Sequence, residues 1–127
     1  MAGVDLRIGS FNMHGFDTSI EYVKKLLVDL DILFVQEHWL SSKALDRFNC
    51  CTSEFTFVGK SAMDDKCKDG LLVGRPFGGV GVLWRKNLGN IIKFVDSDPD
   101  GRVIAIIFRN AGVLTICFGV YLPYNDH

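Results

Sequence analysis

Asp31-Ile32-Leu33-Phe34-Val35-Gln36-Glu37 is the stretch that decides the fold: a short apolar run that ends in an amide and a carboxylate. Such a run is typical of an interior parallel strand. An earlier apolar stretch, residues 6–11, leads in the same way into Asn12, and one amphipathic segment lies between the two. A right-handed strand–helix–strand crossover brings the carboxyl ends of both strands to one edge of the sheet. Asn12 and Glu37 are therefore predicted to converge there.

The segment between these strands is predicted to be a helix, because its apolar residues recur at helical spacing and Thr18 with Glu21 fits a capping box. Further along, short connections separate strands rich in Val, Ile and Phe, and Asp98-Pro99-Asp100-Gly101 has a type I turn signature. These strands are residues 55–58, 79–84, 91–95, 103–108 and 114–121. The order predicts an α/β (α+β) fold, a βαβ unit followed by an antiparallel meander. We expect a mixed, mostly antiparallel sheet with helices on one face.

Composition limits the class of protein. The chain has 127 residues, enough for one domain, and its 48% hydrophobic content and mean hydropathy of +0.19 argue against disorder. A net charge of −1 gives no global attraction to nucleic acid or to an anionic membrane, and no apolar run is long enough for a membrane span. The four cysteines form no Cys-x-x-Cys pair, so neither a disulfide framework nor a zinc site is indicated. We expect an intracellular protein with reduced thiols and no membrane partner.

Glu37 is the strongest candidate for a functional residue. A carboxylate that directly follows apolar residues needs a cation, a hydrogen-bond donor or solvent. Magnesium fits, because it takes hard oxygen ligands and binds through one or two carboxylates together with substrate phosphate. The alternative is a solvent-exposed Glu at a strand end. Asn12 either holds a phosphate or a metal-bound water or satisfies a turn, and Tyr121 either donates to a phosphate oxygen or caps the core.

Other residues favour structural roles. His14 and His38 belong to no HxxxH pair and are interpreted as ordinary polar residues, while Trp39 and Trp84 are interpreted as packing residues. Gly78-Gly79-Val80-Gly81 is neither a dinucleotide fingerprint nor a P-loop, since no Gly-Lys-Ser/Thr follows and the next element is a strand. It is predicted to be a turn that lets the backbone pass closely into a buried strand.

Several segments together resemble the N-terminal half of the endonuclease/exonuclease/phosphatase superfamily, in the order and spacing of that family. They are Ile8-Gly9-Ser10-Phe11-Asn12-Met13-His14-Gly15, Asp31 to Glu37, Gly78-Gly79-Val80-Gly81-Val82-Leu83, Asp100-Gly101-Arg102-Val103 and Val120-Tyr121-Leu122-Pro123. Within the superfamily, two stretches resemble the endonuclease domain of LINE-type non-LTR retrotransposons, whose enzymes nick DNA to prime reverse transcription. These stretches are Gln36-Glu37-His38-Trp39-Leu40 and the run from Gly74-Arg75-Pro76-Phe77 to Trp84-Arg85-Lys86.

The resemblance implies a phosphodiesterase that depends on Mg²⁺ or Mn²⁺ and a partial four-layer α/β sandwich. By position, Glu37 is the implied metal ligand and Asn12 an amide of the metal and phosphate network, while Tyr121 is the implied catalytic donor to the scissile phosphate. Arg102 and Asn125 are, with Asn12, the implied substrate-binding residues. DNA is the expected substrate, with nuclear localisation if the DNA is chromosomal. The alternatives are RNA, inositol phosphates or a phospholipid head group, or a non-catalytic half-domain.

Two departures from the family pattern shape these expectations. Trp39 stands where apurinic-site enzymes of the superfamily often carry a basic residue, so specificity for apurinic sites is not expected. The family's Gly-Asp-x-Asn strand end, its later Asp and its Ser-Asp-His motif have no match in the chain. Residues 1–127 are therefore expected to be the N-terminal portion of one domain, inactive alone. The missing half, or a reverse-transcriptase region, is expected in the parent protein, and that half is also expected to supply a second sheet.

Overall fold

In the computed structural model, which describes residues 3–123, the predicted strand–helix–strand unit is present. Strand β1 (Ile8–Asn12) pairs in parallel with β2 (Ile32–Gln36), so that Asn12 lies opposite Gln36, and helix α1 (Phe16–Asp29) connects them. All of β2 is buried. The convergence of Asn12 and Glu37 at one edge of the sheet follows from this register, as the sequence predicts.

The predicted capping box is wrong. Helix α1 begins at Phe16, before Thr18, and its N-cap residue Gly15 makes no side-chain capping hydrogen bond. The backbone N–H groups of Gly15 and Phe16 instead donate to the carbonyl oxygens of Glu37 and His38, at 2.8 and 2.9 Å. Because carbonyl oxygens of the segment that follows β2 accept these hydrogen bonds, the start of the helix needs no capping side chain.

The first sheet contains four strands in the order β1-β2-β6-β3, in which only β1 and β2 are parallel. Strand β3 spans Phe55–Lys60 and β6 spans Val80–Arg85. A short helix, α2 (Arg47–Cys51), precedes β3, and a two-stranded ribbon of β4 (Cys67–Lys68) and β5 (Leu71–Leu72) lies in the connection to β6. No helix within residues 3–123 is long and apolar enough to cross a membrane.

The remaining strands form a second sheet, which corrects the expectation of a single mixed sheet. Strands β7 (Ile92–Ser97), β8 (Val103–Asn110) and β9 (Val113–Val120) form an antiparallel sheet in the order β7-β8-β9. The expectation that a missing half would supply the whole second sheet is also wrong. Both faces of β2 and β6 are apolar, and since α1 covers only one face, the second sheet packs on the other.

The result is a helix layer, a first sheet and a second sheet, with an apolar core in each interval. The core between the helices and the first sheet contains Phe16, Val23, Leu27, Leu33, Val35, Phe48 and Leu83, among others. The core between the sheets contains Ile32, Phe34, Val80, Val82, Trp84, Ile92, Ile104, Ile106 and Phe108. Val82, Trp84, Ile104 and Ile106 are buried, whereas Ile116 and Phe118, on the outer strand β9, are exposed.

Candidate active site

Glu37 lies directly after β2, where hydrogen bonds from two other segments fix its backbone. Its N–H donates to the carbonyl oxygen of Gly79 at 2.8 Å, and its own carbonyl oxygen accepts the N–H of Gly15 at the same distance. The N–H of Trp39 donates to the carbonyl oxygen of Gly78 at 3.0 Å. The backbone at Glu37 is therefore held in place independently of the contacts that its side chain makes.

Gly79 permits this arrangement, as the prediction of a close backbone passage requires. Its φ of +94° lies in the region that favours glycine, and a Cβ atom there would lie 2.2 Å from Cε1 of His38. Any side chain at this position would displace the His38 ring. The Gly78–Gly79 turn thus packs directly against the segment that carries Glu37.

His38 is a buried structural residue next to the candidate site. Its Nδ1 accepts the N–H of Leu40 at 2.9 Å, so the neutral ring carries its proton on Nε2, which lies 3.1 Å from the carbonyl oxygen of Lys60 and donates to it. Burial lowers the pKa of His38 from 6.5 to about 4, although the backbone hydrogen bonds oppose the shift. The ring is neutral at neutral pH and links the Glu37 segment to the end of β3.

The buried His38 ring should make the chain less stable in acid. Because its pKa is lower in the folded state than in the unfolded state, the unfolded chain binds more protons as the pH falls from 6.5 towards 4. We expect the free energy of unfolding to fall by about 2 kcal/mol between pH 7 and pH 5 from this group. This loss of stability is measured by urea unfolding at both pH values, in the wild type and in His38→Gln. His14→Gln, a change at an exposed histidine, is the control, and an equal loss in wild type and His38→Gln would contradict the prediction.

Tyr121 contacts Glu37 across a long sequence separation. Its hydroxyl donates to Oε1 of Glu37 at 3.0 Å, and its backbone N–H donates to the carbonyl oxygen of Arg102 at 2.7 Å. Burial, the hydrogen bond to Glu37 and the charge of Glu37 raise the pKa of Tyr121, while Arg102 opposes them. The phenol therefore stays protonated at neutral pH and is available as a donor beside the carboxylate.

His14 lies near the second carboxylate oxygen of Glu37, and Asn12 is hydrogen-bonded to the backbone of His14. The Oδ1 atom of the exposed Asn12 accepts the N–H of His14 at 3.0 Å, so Asn12 satisfies a turn, which was one of its two predicted roles. Nδ1 of His14 lies 3.9 Å from Oε2 of Glu37. From sequence, His14 was interpreted as an ordinary polar residue, and its proximity to Glu37 was missed, although its place two residues after Asn12 was an available signal.

Arg102 lies close to Tyr121. The predicted turn at residues 98–101 is present, and Oδ1 of Asp98 accepts the N–H groups of Arg102 and Val103 at 2.7 and 2.8 Å. Arg102 and Tyr121 line one cavity of about 350 Å³, together with Ala62, Phe77, Gly78, Asp100, Gly101 and Pro123. The remaining predicted site residue, Asn125, lies outside the described residues.

The donor set at this edge fits a magnesium ion that is held through one carboxylate. Glu37 supplies that carboxylate, and the amide oxygen of Asn12 is a second hard donor nearby. Within residues 3–123, no group of three or more His, Cys, Asp or Glu side chains is placed to hold a metal ion. The residues present thus suit a site in which water, substrate phosphate or further protein groups complete the coordination shell.

The chain is similar to known proteins in sequence pattern and in fold. The model of the endonuclease/exonuclease/phosphatase family matches residues 9–127. The chain is similar to the AP endonuclease LMAP from Leishmania major, with a TM-score of 0.64 and 14% identity over 90% of this chain and 39% of that one. For the human Nocturnin catalytic domain, the TM-score is 0.60 and the identity is 14%, and the match covers 94% of this chain and 50% of that one. For the 3' phosphatase NExo from Neisseria, bound to a product DNA hairpin, the TM-score is 0.55 and the identity is 21%, and the match covers 88% of this chain and 40% of that one.

These likenesses confirm the predicted fold class. At such low identity they establish the fold alone, and the chain spans half or less of the length of each of these solved structures. No curated protein sequence matches the chain significantly.

Proposed function

The chain belongs to the endonuclease/exonuclease/phosphatase family, and from that premise we propose that it carries the Glu37 side of the site of a metal-dependent phosphodiester hydrolase. The observation that carries this proposal is the 3.0 Å hydrogen bond from Tyr121 to Glu37, between residues that follow strands of different sheets. A packing role for Tyr121 does not require its hydroxyl to lie on a carboxylate.

Each residue of the site has a chemical task in this proposal. Glu37 and Asn12 hold Mg²⁺ or Mn²⁺, which when bound polarises the phosphoryl oxygen and lowers the pKa of a bound water. Tyr121 turns its hydroxyl from Glu37 to a phosphoryl oxygen of the substrate, where a fixed donor stabilises the charge that develops. The exposed guanidinium of Arg102 binds a phosphate in the cavity that it shares with Tyr121, and Asn125 is a further proposed substrate contact.

DNA is the proposed substrate. Support comes from the neighbours whose names include an AP endonuclease and a 3' phosphatase bound to a DNA hairpin. The finer proposal, a retrotransposon-like DNA endonuclease that acts in the nucleus, rests on the sequence resemblance of residues 36–40 and 74–86 to LINE-type enzymes. NExo is also described as a 3'-5' exonuclease, so 3' end processing is the second candidate activity.

Cleavage of supercoiled plasmid DNA tests the proposal. Because residues 3–123 contain no group of three or more His, Cys, Asp or Glu side chains placed to hold a metal ion, we expect the 127-residue chain to bind the cation without turnover. Nicking is therefore measured in the longest natural polypeptide that contains residues 1–127, alongside a DNA hairpin with a 3' phosphate. We expect Mg²⁺-dependent nicked circles that disappear with EDTA. If neither substrate reacts in the presence of Mg²⁺ or Mn²⁺, the proposed function is wrong.

Tyr121→Phe should slow cleavage strongly without abolishing it. The change removes one hydroxyl donor and keeps the ring, and loss of one such donor costs about 10²- to 10³-fold in kcat. Single-turnover nicking rates in the same polypeptide provide the measurement, and Mn²⁺ binding should remain as in the wild type because Glu37 is intact. An unchanged rate would assign Tyr121 to packing.

A further inference from the structure

Three residues around the proposed site have a backbone conformation that is rare for residues other than glycine. His14, Glu37 and Trp39 have φ values of +49°, +55° and +60°. Such conformations are energetically unfavourable, persist only where surrounding structure fixes them, and cluster at functional sites. Hydrogen bonds from Gly15, Glu37 and Trp39 to neighbouring segments fix them here. The fold thus places these three side chains together in a set orientation.

His14 and Trp39 form an aromatic pair beside the Glu37 carboxylate. Their ring centroids lie 4.8 Å apart at an angle of 58°. Trp39 rests on Gly15, where a Cβ atom would lie 2.8 Å from Cε3 of the indole, so the indole has no room to move towards α1. His14 is supported by Trp39 but its side chain is 78% exposed, and Nδ1 lies 3.9 Å from Oε2 of Glu37. An exposed ring face is therefore held a few ångströms from the carboxylate.

The chemistry of this pair selects its ligand. Trp39 carries no charge and its Nε1 is buried, so the indole offers no donor to a phosphate, and what the pair presents to solvent is the face of the His14 ring. Flat aromatic surfaces next to a phosphate-binding site stack on nucleobases and tolerate any base, since every base has a π face. A base within a duplex is already covered on both sides. The surface therefore suits a base that is unpaired or turned out of the helix.

We propose that His14, supported by Trp39, stacks on an unpaired base of a single-stranded or distorted DNA whose phosphodiester lies at Glu37. The proposal rests on the proposed function and names its substrate: DNA with an unstacked base next to the bond that is cleaved. In this role His14 contacts the substrate and determines specificity, while Trp39 is a positioning residue that acts through His14.

Binding measured without cleavage tests the proposal. The 127-residue chain is titrated, in the absence of divalent ions, with a labelled single-stranded DNA of about ten nucleotides and with its duplex. Anisotropy gives Kd, and a change in tryptophan emission on binding reports Trp39, because Trp84 is buried between the sheets and does not contact the DNA. We expect tighter binding of the single strand, with quenching of the tryptophan emission. His14→Ala should raise Kd about tenfold and remove most of the quenching, whereas His14→Phe should bind within about twofold of the wild type.

A matched control and two contrary outcomes complete the experiment. Tyr22→Ala removes an exposed aromatic residue from α1, where it packs on Phe11, and should leave Kd unchanged. If His14→Ala binds the single strand as well as the wild type does, the stacking surface is refuted while Glu37-dependent plasmid nicking can still stand. If the wild type binds neither DNA and no nicking occurs, both the stacking surface and the proposed function are wrong.

Discussion

Glu37→Gln should abolish Mg²⁺-dependent nicking of supercoiled DNA while the protein remains folded. The amide has the same shape, and its oxygen can still accept the Tyr121 hydroxyl, so the 3.0 Å contact is retained. The backbone of Glu37 is held by Gly79 and Gly15 and not by its side chain. What disappears is the negative charge that attracts the cation, and metal polarisation contributes several kcal/mol to such reactions. Since each 1.4 kcal/mol is tenfold in rate, we expect a loss of about a thousandfold or more.

Three measurements distinguish a loss of metal binding from a loss of folded structure. Nicking is measured by gel, Mn²⁺ binding by electron paramagnetic resonance, and folding by thermal unfolding, each in wild type and Glu37→Gln. Glu21→Gln is the matched control, because it removes a carboxylate from an exposed helix-surface pair with Lys24 and should change none of these results by much. If Glu37→Gln nicks DNA as fast as the wild type does, or binds Mn²⁺ as tightly, Glu37 is not part of the site.

The part of the site that depends on local sequence could be predicted from sequence. The apolar runs that precede Asn12 and Glu37 define two strands, and the crossover rule then determines which ends meet. Tyr121 was identified only as the end of a strand, and no local pattern indicated that its hydroxyl would lie 3.0 Å from Glu37. Such a contact depends on how the two sheets pack, which is set by residues far apart in sequence.

The errors have the same physical origin. The start of α1 was misplaced because the partners of its first N–H groups belong to residues 37 and 38, about 22 positions away, and not to a nearby side chain. The single-sheet expectation failed because alternation along β7 indicates a strand without indicating that it pairs with β8 alone and not also with β6. His14 and Trp39 were interpreted separately, and only the fold places their rings 4.8 Å apart.

The 127-residue chain should associate with a second copy through the outer face of β9, an edge strand of the second sheet. Residues 113–120 carry no charged side chain, and Leu114, Ile116, Phe118 and Val120, which alternate along one face, are each 51–63% exposed. An unprotected apolar edge strand is a site of pairing with another chain. Since full burial of a large apolar side chain contributes about 1.5–3 kcal/mol, covering the exposed half of each gains about 1 kcal/mol. A second copy fits because an uncharged strand meets no like-charge repulsion across a two-fold axis.

Sedimentation velocity over a range of concentrations measures this association. Wild type should sediment as a dimer or larger species and should bind the dye ANS when diluted. The double change Ile116→Lys with Phe118→Lys should give a monomer, because it places four positive charges in the contact of two copies while both side chains already face solvent in one copy. Val28→Lys, at an apolar residue of α1 that is 73% exposed, is the control and should associate as the wild type does. A wild-type chain that stays monomeric at every concentration would show that a single copy tolerates this face in water, and that the apolar edge of β9 does not drive self-association.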